Sequence, residues 1–318
     1  MVDGPLKAGV FPFLDAATPA EHGRLRTLVT VVLGAAAGLA ASIAAVTLVM
    51  IVATMIAAAG GAGWTAAIGL LTDGARADRG LTSYIFDLAV VGTSSMAAVA
   101  GFIGICAWRA GRSPRSFLTT APRFRWRHAV LGLAIFLPVV AAEIWVEGLV
   151  NGASAAPLAT PGASGIDRLL YAAAAFVFLG LAAFAEELLF RGWLMQQTHA
   201  LTRRLLVVIA VNAALFTLAH GDFSVGGLVT RFVMGAGWAW VVLRLGGVEF
   251  TTGAHLANNL GIALLAQPVL LAAAATQPLD PASVALQVGP LAVLALAAEF
   301  WARRRALHAA SPRATLPA

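Results

Sequence analysis

Long uncharged apolar runs separated by short polar connectors make up most of this chain. No charged residue occurs between Leu28 and Leu71. That is too long for one perpendicular helix, because roughly 20 apolar residues cross a bilayer. Gly60-Gly61-Ala62-Gly63 is the expected break. The pattern predicts spans near 28–58, 85–108 and 129–149, a fourth starting near Leu169, and further spans near 205–220, 225–244, 250–268 and 284–301. Arginines fix their direction. The connector 109–128 carries Arg109, Arg112, Arg115, Arg123, Arg125 and Arg127, Arg203-Arg204 marks a second turn, and Arg303-Arg304-Arg305 follows the last span. Excess arginine marks the cytoplasmic side, so both termini are expected there. The loop around Asp73, Arg76, Asp78 and Arg79, the loop 150–167 and the loop through Pro278, Asp280 and Pro281 are then external, and Gly221-Asp222 forms a short outer turn.

Composition agrees with this reading. Of 318 residues, 60% are hydrophobic and 11% charged, and the mean hydropathy is +0.85, more apolar than a soluble core requires. Alternation of the barrel type is absent. The expected fold is all-α: a polytopic integral membrane protein of about eight transmembrane helices. Four segments follow: a cytoplasmic tail (1–27), N-terminal helices (28–150), a core (169–268) and a C-terminal helix with a basic tail (269–318). The net charge of +6 is accounted for by arginines at span ends and calls for no nucleic acid. The single cysteine, Cys106, lies in an apolar run and forms no internal disulfide.

The chemistry concentrates in Glu186-Glu187-Leu188-Leu189-Phe190-Arg191. A charge at the centre of a bilayer costs about 2.5–3.5 kcal/mol on insertion scales, so it needs a reason. On a helix, Glu187 and Arg191 share one face and can pair, while Glu186 points about 100° away. The alternative is a helix end with its charges snorkelling into the headgroups. Two histidines, His220 and His255, fall in or at the ends of apolar spans. Each has a companion four residues away, Phe216 before His220 and Asn259 after His255. If the fourth and fifth spans form a hairpin turning at Arg203, Glu186 and His220 lie 17 residues either side of it. They would then stand at one height, about 25 Å from the turn. That height is mid-membrane only if the fourth helix projects into the cytosol. His255 lies nearer its own turn at Gly246-Gly247, which would have to sit deeper.

Glu186-Glu187-x-x-x-Arg191, Phe216-x-x-x-His220 and His255-x-x-x-Asn259 resemble, in order, the three motifs of the CPBP intramembrane proteases, the family of CAAX prenyl endopeptidases and bacteriocin-processing or Abi proteins. The resemblance covers about 169–268. It implies eight helices around a conical catalytic cavity open to the cytosol, in a bacterial plasma membrane. It also implies peptide-bond hydrolysis in a hydrophobic or membrane-anchored peptide. By that resemblance Glu186 is the base, Glu187 and Arg191 position it, and His220, His255 and Asn259 stabilise the intermediate, with Phe216 in support. The neighbouring Asn258 competes with Asn259 for the role of functional amide. A zinc ion held by Glu186, His220 and His255 is one alternative. The absence of HExxH spacing tips the expectation slightly toward no metal. Competing functions are a scaffold or immunity protein without cleavage, and a proton-coupled transporter using Glu143, Glu147 and the Glu186–Arg191 group. Arg231 is expected either to pair with Asp222 or to bind a substrate carboxylate.

Overall fold

The structure, a computed structural model, describes residues 11–60, 81–152, 156–266 and 281–310. Eight helices stand where eight spans are expected: α1 (Arg24–Ala59), α2 (Leu81–Ala110), α3 (Trp126–Asn151), α4 (Gly165–Glu186, continued through Glu187–Leu194 and Met195–Thr202), α5 (Leu205–Ala219), α6 (Val225–Leu245), α7 (Glu249–Leu265) and α8 (Pro281–Ala310). Among the described residues there is no strand, only one bridge between Thr119 and Gly247. The fold is therefore an all-α membrane bundle. The Asp73–Arg79 loop, Gly61-Ala62-Gly63 and the Pro278–Asp280 loop lie outside the described residues.

Among the described residues, six helices are long and apolar enough to cross a bilayer. α5 and α7 are shorter than expected. Their 15 and 17 residues rise about 22 and 25 Å, less than a hydrocarbon core of about 30 Å. α4 does the opposite. Its 38 residues from Gly165 to Thr202 extend about 57 Å, well beyond a hydrocarbon core of about 30 Å. It starts on a Ser164–Asp167 capping box, in which each residue satisfies a backbone N–H of the other's end of the turn.

α1 packs on α2, α2 on α4, α4 on α7, α7 on α3, α5 on α6, and α6 on α8. On the outside of α1, Leu39, Leu48, Met55 and Ile56 are mostly exposed, as a lipid-facing side should be, because no hydrophobic penalty applies there. The α3–α7 seam is the closest. A side chain on Gly253 would collide with the Ala129 carbonyl, and one on Gly132 with the Phe250 carbonyl. Small residues let the two backbones touch, and dispersion replaces the missing hydrophobic drive.

Residues 11–22 are expected to be part of a polar tail, and they fold instead into a cap. Phe11, Phe13 and Leu14 enter one apolar cluster with Met195, Val208, Val242 and Val248. The last turns of α4 carry polar side chains that need partners once they are covered. Gln197 donates to the Glu21 carbonyl at 2.7 Å, and His22 Nδ1 donates to the Ala200 carbonyl at 2.8 Å. Glu21 in turn pairs with Arg112 at 2.9 Å, both nearly buried.

The seam between α3 and α7 gives a test. Gly253→Val should lower the thermal midpoint of the detergent-solubilised protein by the equivalent of about 1–3 kcal/mol or more, followed by intrinsic fluorescence. An unchanged midpoint would contradict the backbone contact.

Candidate active site

The site forms where α4, α5, α6 and α7 meet. At Glu187 the helix α4 widens into a π-helical stretch that runs to Leu194. Such stretches use i→i+5 hydrogen bonds and are frequent at functional sites. One consequence is visible at Phe190, whose carbonyl accepts from Met195 N–H and also, at 2.6 Å, from the Asn212 side chain of α5. Asn212 is fully buried, so this bond gives its amide N–H₂ a partner and ties α5 to the widened turn.

Glu187 and Arg191 pair as their spacing predicts, with Arg191 Nη1 3.1 Å from Glu187 Oε1 and no exposure of either side chain. Removing two charges from solvent costs several kcal/mol per ion, and compensation must come from close partners. Arg191 lies 4.0 Å over the Phe216 ring and 5.3 Å from the Trp238 ring, cation–π contacts that matter most where water is excluded. The same Glu187 Oε1 also accepts from His255 Nδ1 at 3.1 Å. The helix-end alternative, with the three charges in the headgroups, is thereby excluded for this pair.

Both histidines are fixed from behind. His220 Nδ1 donates to the Phe216 carbonyl at 2.7 Å, which leaves Nε2 pointing the other way. His255 is fixed through Nδ1 to Glu187 and is held between Trp238 (4.7 Å between ring centroids) and Phe216 (6.2 Å). The two Nε2 atoms converge on one oxygen, Glu186 Oε2, at 3.9 Å from His220 and 3.7 Å from His255. These separations exceed a direct hydrogen bond, and Glu186 Oε2 has no hydrogen-bond partner among the described residues. Glu186 and His220 keep 29% of their side-chain surface, whereas His255 keeps 3%. The Glu186 and His220 side chains are thus partly exposed while Glu186 Oε2 itself is buried, and the group is closed at His255.

The equal heights expected for Glu186 and His220 are found, and the mismatch at His255 has a physical explanation. The Gly246-Gly247 turn is anchored by the arginine-rich connector: Thr120 N–H donates to the Gly246 carbonyl at 3.0 Å, and Arg125 grips the fully buried Glu249 through Nε (2.9 Å) and Nη2 (2.6 Å). His255 stands six residues past Glu249, about 9 Å, while Glu186 stands about 24 Å from the end of α4. The two turns lie at different depths, and the projecting end of α4 absorbs the difference.

Asn259 is one helical turn beyond His255, and its Oδ1 accepts from Asn258 Nδ2 at 3.2 Å. The doublet is coupled, and neither amide is bonded to the Glu186 group. Glu143 stands on a part of α3 that packs farther along α7. Val140 of α3 packs on Gly261, already six residues beyond His255, and Glu143 is farther still. Arg231 donates to Asp222 at 2.6 Å. In that turn, hydrogen bonds from Ser224 and then from Arg231 hold the Asp222 carboxyl below the usual carboxylate range.

The donors do not fit a preformed zinc cage. Ligands about 2.0–2.1 Å from a tetrahedral zinc lie roughly 3.3–3.5 Å from one another, closer than the two separations above. Among the described residues no group of three or more His, Cys, Asp or Glu side chains could hold a metal ion. Sequence reasoning missed Trp238, Asn212 and the Arg125–Glu249 clasp. Asn212 carried a signal, a lone amide in an apolar helix; Trp238 looked like any other core aromatic.

Comparison with known proteins bears on the same stretch. Residues 168–261 match the family model described as type II CAAX prenyl endopeptidase Rce1-like. Over 153 residues the chain is 28% identical to YyaK, an uncharacterized protein of Bacillus subtilis (strain 168), covering 46% of this chain and 50% of that protein. The chain thus spans about half the length of the curated relative it matches. No solved structure matches it. All three motifs fall inside the matched segment, and the resemblance to the CPBP intramembrane proteases is borne out over residues 168–261.

Proposed function

We propose that this protein is an intramembrane endopeptidase that hydrolyses a peptide bond in a hydrophobic or membrane-anchored peptide. The observation that carries the reading is the convergence of His220 Nε2 and His255 Nε2 on Glu186 Oε2, with both rings anchored through Nδ1. A water lying between these three atoms donates one proton to Glu186 as it attacks the scissile carbonyl. Glu186 then delivers that proton to the departing amine, so the carboxylate is regenerated. An Nδ1–H anchored ring offers Nε2 as acceptor to the water when neutral and as donor to the oxyanion when protonated. Glu187, held by Arg191, fixes the His255 ring. Asn259 lies on the same face of α7 and completes the oxyanion side.

The Rce1-like match supports a peptidase of the CAAX prenyl type, and the partly exposed Glu186–His220 side is where an extended peptide would reach the base. No step above passes through a metal. The proposed location is the plasma membrane, with both termini in the cytosol, resting on the arginine distribution.

Two neighbouring carboxylates should behave differently. Glu186→Gln should lower kcat for a quenched fluorescent prenylated peptide by about 10²–10⁴ and leave the thermal midpoint unchanged. Glu187→Ala should instead destabilise by about 3–5 kcal/mol, because it strands a buried guanidinium. Wild-type turnover in Glu186→Gln would sink the assignment. Cleavage by the wild type should also survive prolonged dialysis against a chelator; loss of activity that zinc restores would overturn the metal-free route.

A further inference from the structure

One charged pair near the site belongs to none of the three motifs. Arg231 lies 14 residues before the end of α6, about 21 Å along the helix from the Gly246 turn. If that turn marks the cytoplasmic border, Arg231 lies inside a layer of about 30 Å, about 9 Å from its far side, where a partly exposed ion pair needs a reason. The reason is found in what the pair holds.

His220 is the first residue past α5. Gly221 follows it with φ +66°, a left-handed turn that glycine makes without strain. Asp222 then accepts twice: Oδ1 from Ser224 N–H at 3.0 Å, and Oδ2 from Arg231 Nη1 at 2.6 Å. Ser224 caps α6 by accepting from Gly227 N–H at 3.1 Å. A side chain on Gly227 would collide with both the Asp222 carboxylate and the Arg231 guanidinium. The turn after His220 is therefore tied to the second turn of α6, with a glycine clearing the way. The ring itself is tied back to α5 through the Phe216 carbonyl.

We propose that Asp222 and Arg231 are positioning residues: their ion pair latches the turn behind His220 to α6 and so sets the distance of His220 Nε2 from Glu186. The proposal rests on the hydrolytic reading of the same site. Geometry of this kind acts on the chemical step, since small displacements of a catalytic group cost rate rather than binding.

The test uses the full-length protein in liposomes and a quenched fluorescent prenylated peptide. Arg231→Gln and Asp222→Asn should each lower kcat by about tenfold or more with KM within about twofold. The double variant should fall no further than either single one, the signature of one shared interaction. Arg231→Lys, which keeps the charge, should recover most of the rate. Unchanged kcat, additive losses, or a loss confined to KM would overturn the latch; the last would make Arg231 a binder of substrate anions. If the wild type does not cleave this peptide, the hydrolytic reading fails for that substrate class, and hydrogen exchange decides the latch separately. Amides 220–227 should then exchange about tenfold faster in both single variants, and unchanged exchange would overturn it.

Discussion

A guanidinium and a carboxylate with no exposure, inside a protein surrounded by lipid, set the terms for the rest of this structure. Neither charge is tolerable there alone, and the pair by itself scarcely repays its desolvation. Three more groups offset part of that cost. Phe216 and Trp238 present ring faces to Arg191, and His255 donates to Glu187. Because these partners come from α5, α6 and α7, satisfying the pair assembles the four-helix site. Phe216 contributes twice, since its backbone carbonyl also orients His220. The same interactions that make the interior charge bearable thus aim both histidines at Glu186.

Helix length provides the second constraint. α4 is far longer than a bilayer is thick, and α5 is shorter. Their hairpin turns at Arg203, which brings the far end of α5, and with it His220, to the level of Glu186. The projecting end of α4 carries Gln196, Gln197 and His199 into a buried setting. Residues 11–22 and the arginine-rich connector enclose it. Arginines that report topology in the sequence also act here as specific clasps, Arg112 on Glu21 and Arg125 on Glu249. The second clasp holds the start of α7 and so the height of His255.

Much of this was legible in the sequence, and the exceptions have physical causes. Apolar run lengths predict the eight long helices among the described residues, since lipid leaves little choice of secondary structure. The Glu187–Arg191 pair follows from spacing alone, and the match of Glu186 with His220 from counting to the Arg203 turn. Three features were not legible. The π-helical stretch is invisible because Glu187-Leu188-Leu189-Phe190-Arg191-Gly192-Trp193-Leu194 has no residue that forbids ordinary helix; the buried Asn212 amide compensates for it from another helix. Phe11, Phe13 and Leu14 are too few to announce a packed segment, and they bury themselves only because α4 overshoots. Asn259 shares a face with His255, as its spacing requires, yet its amide oxygen is taken by Asn258, a contact that one-dimensional spacing cannot foresee.

The central claim is that two imidazoles, each carrying its proton on the ring nitrogen turned away from the site, present their other nitrogens to one carboxylate. Nitrogen-15 spectra of histidine-labelled protein in bilayers, assigned with His220 and His255 variants, test it most directly. The account predicts Nδ1–H tautomers for both neutral rings, with both Nε2 resonances shifting in Glu186→Gln. An Nε2–H tautomer in either ring, or Nε2 signals indifferent to that substitution, would contradict it.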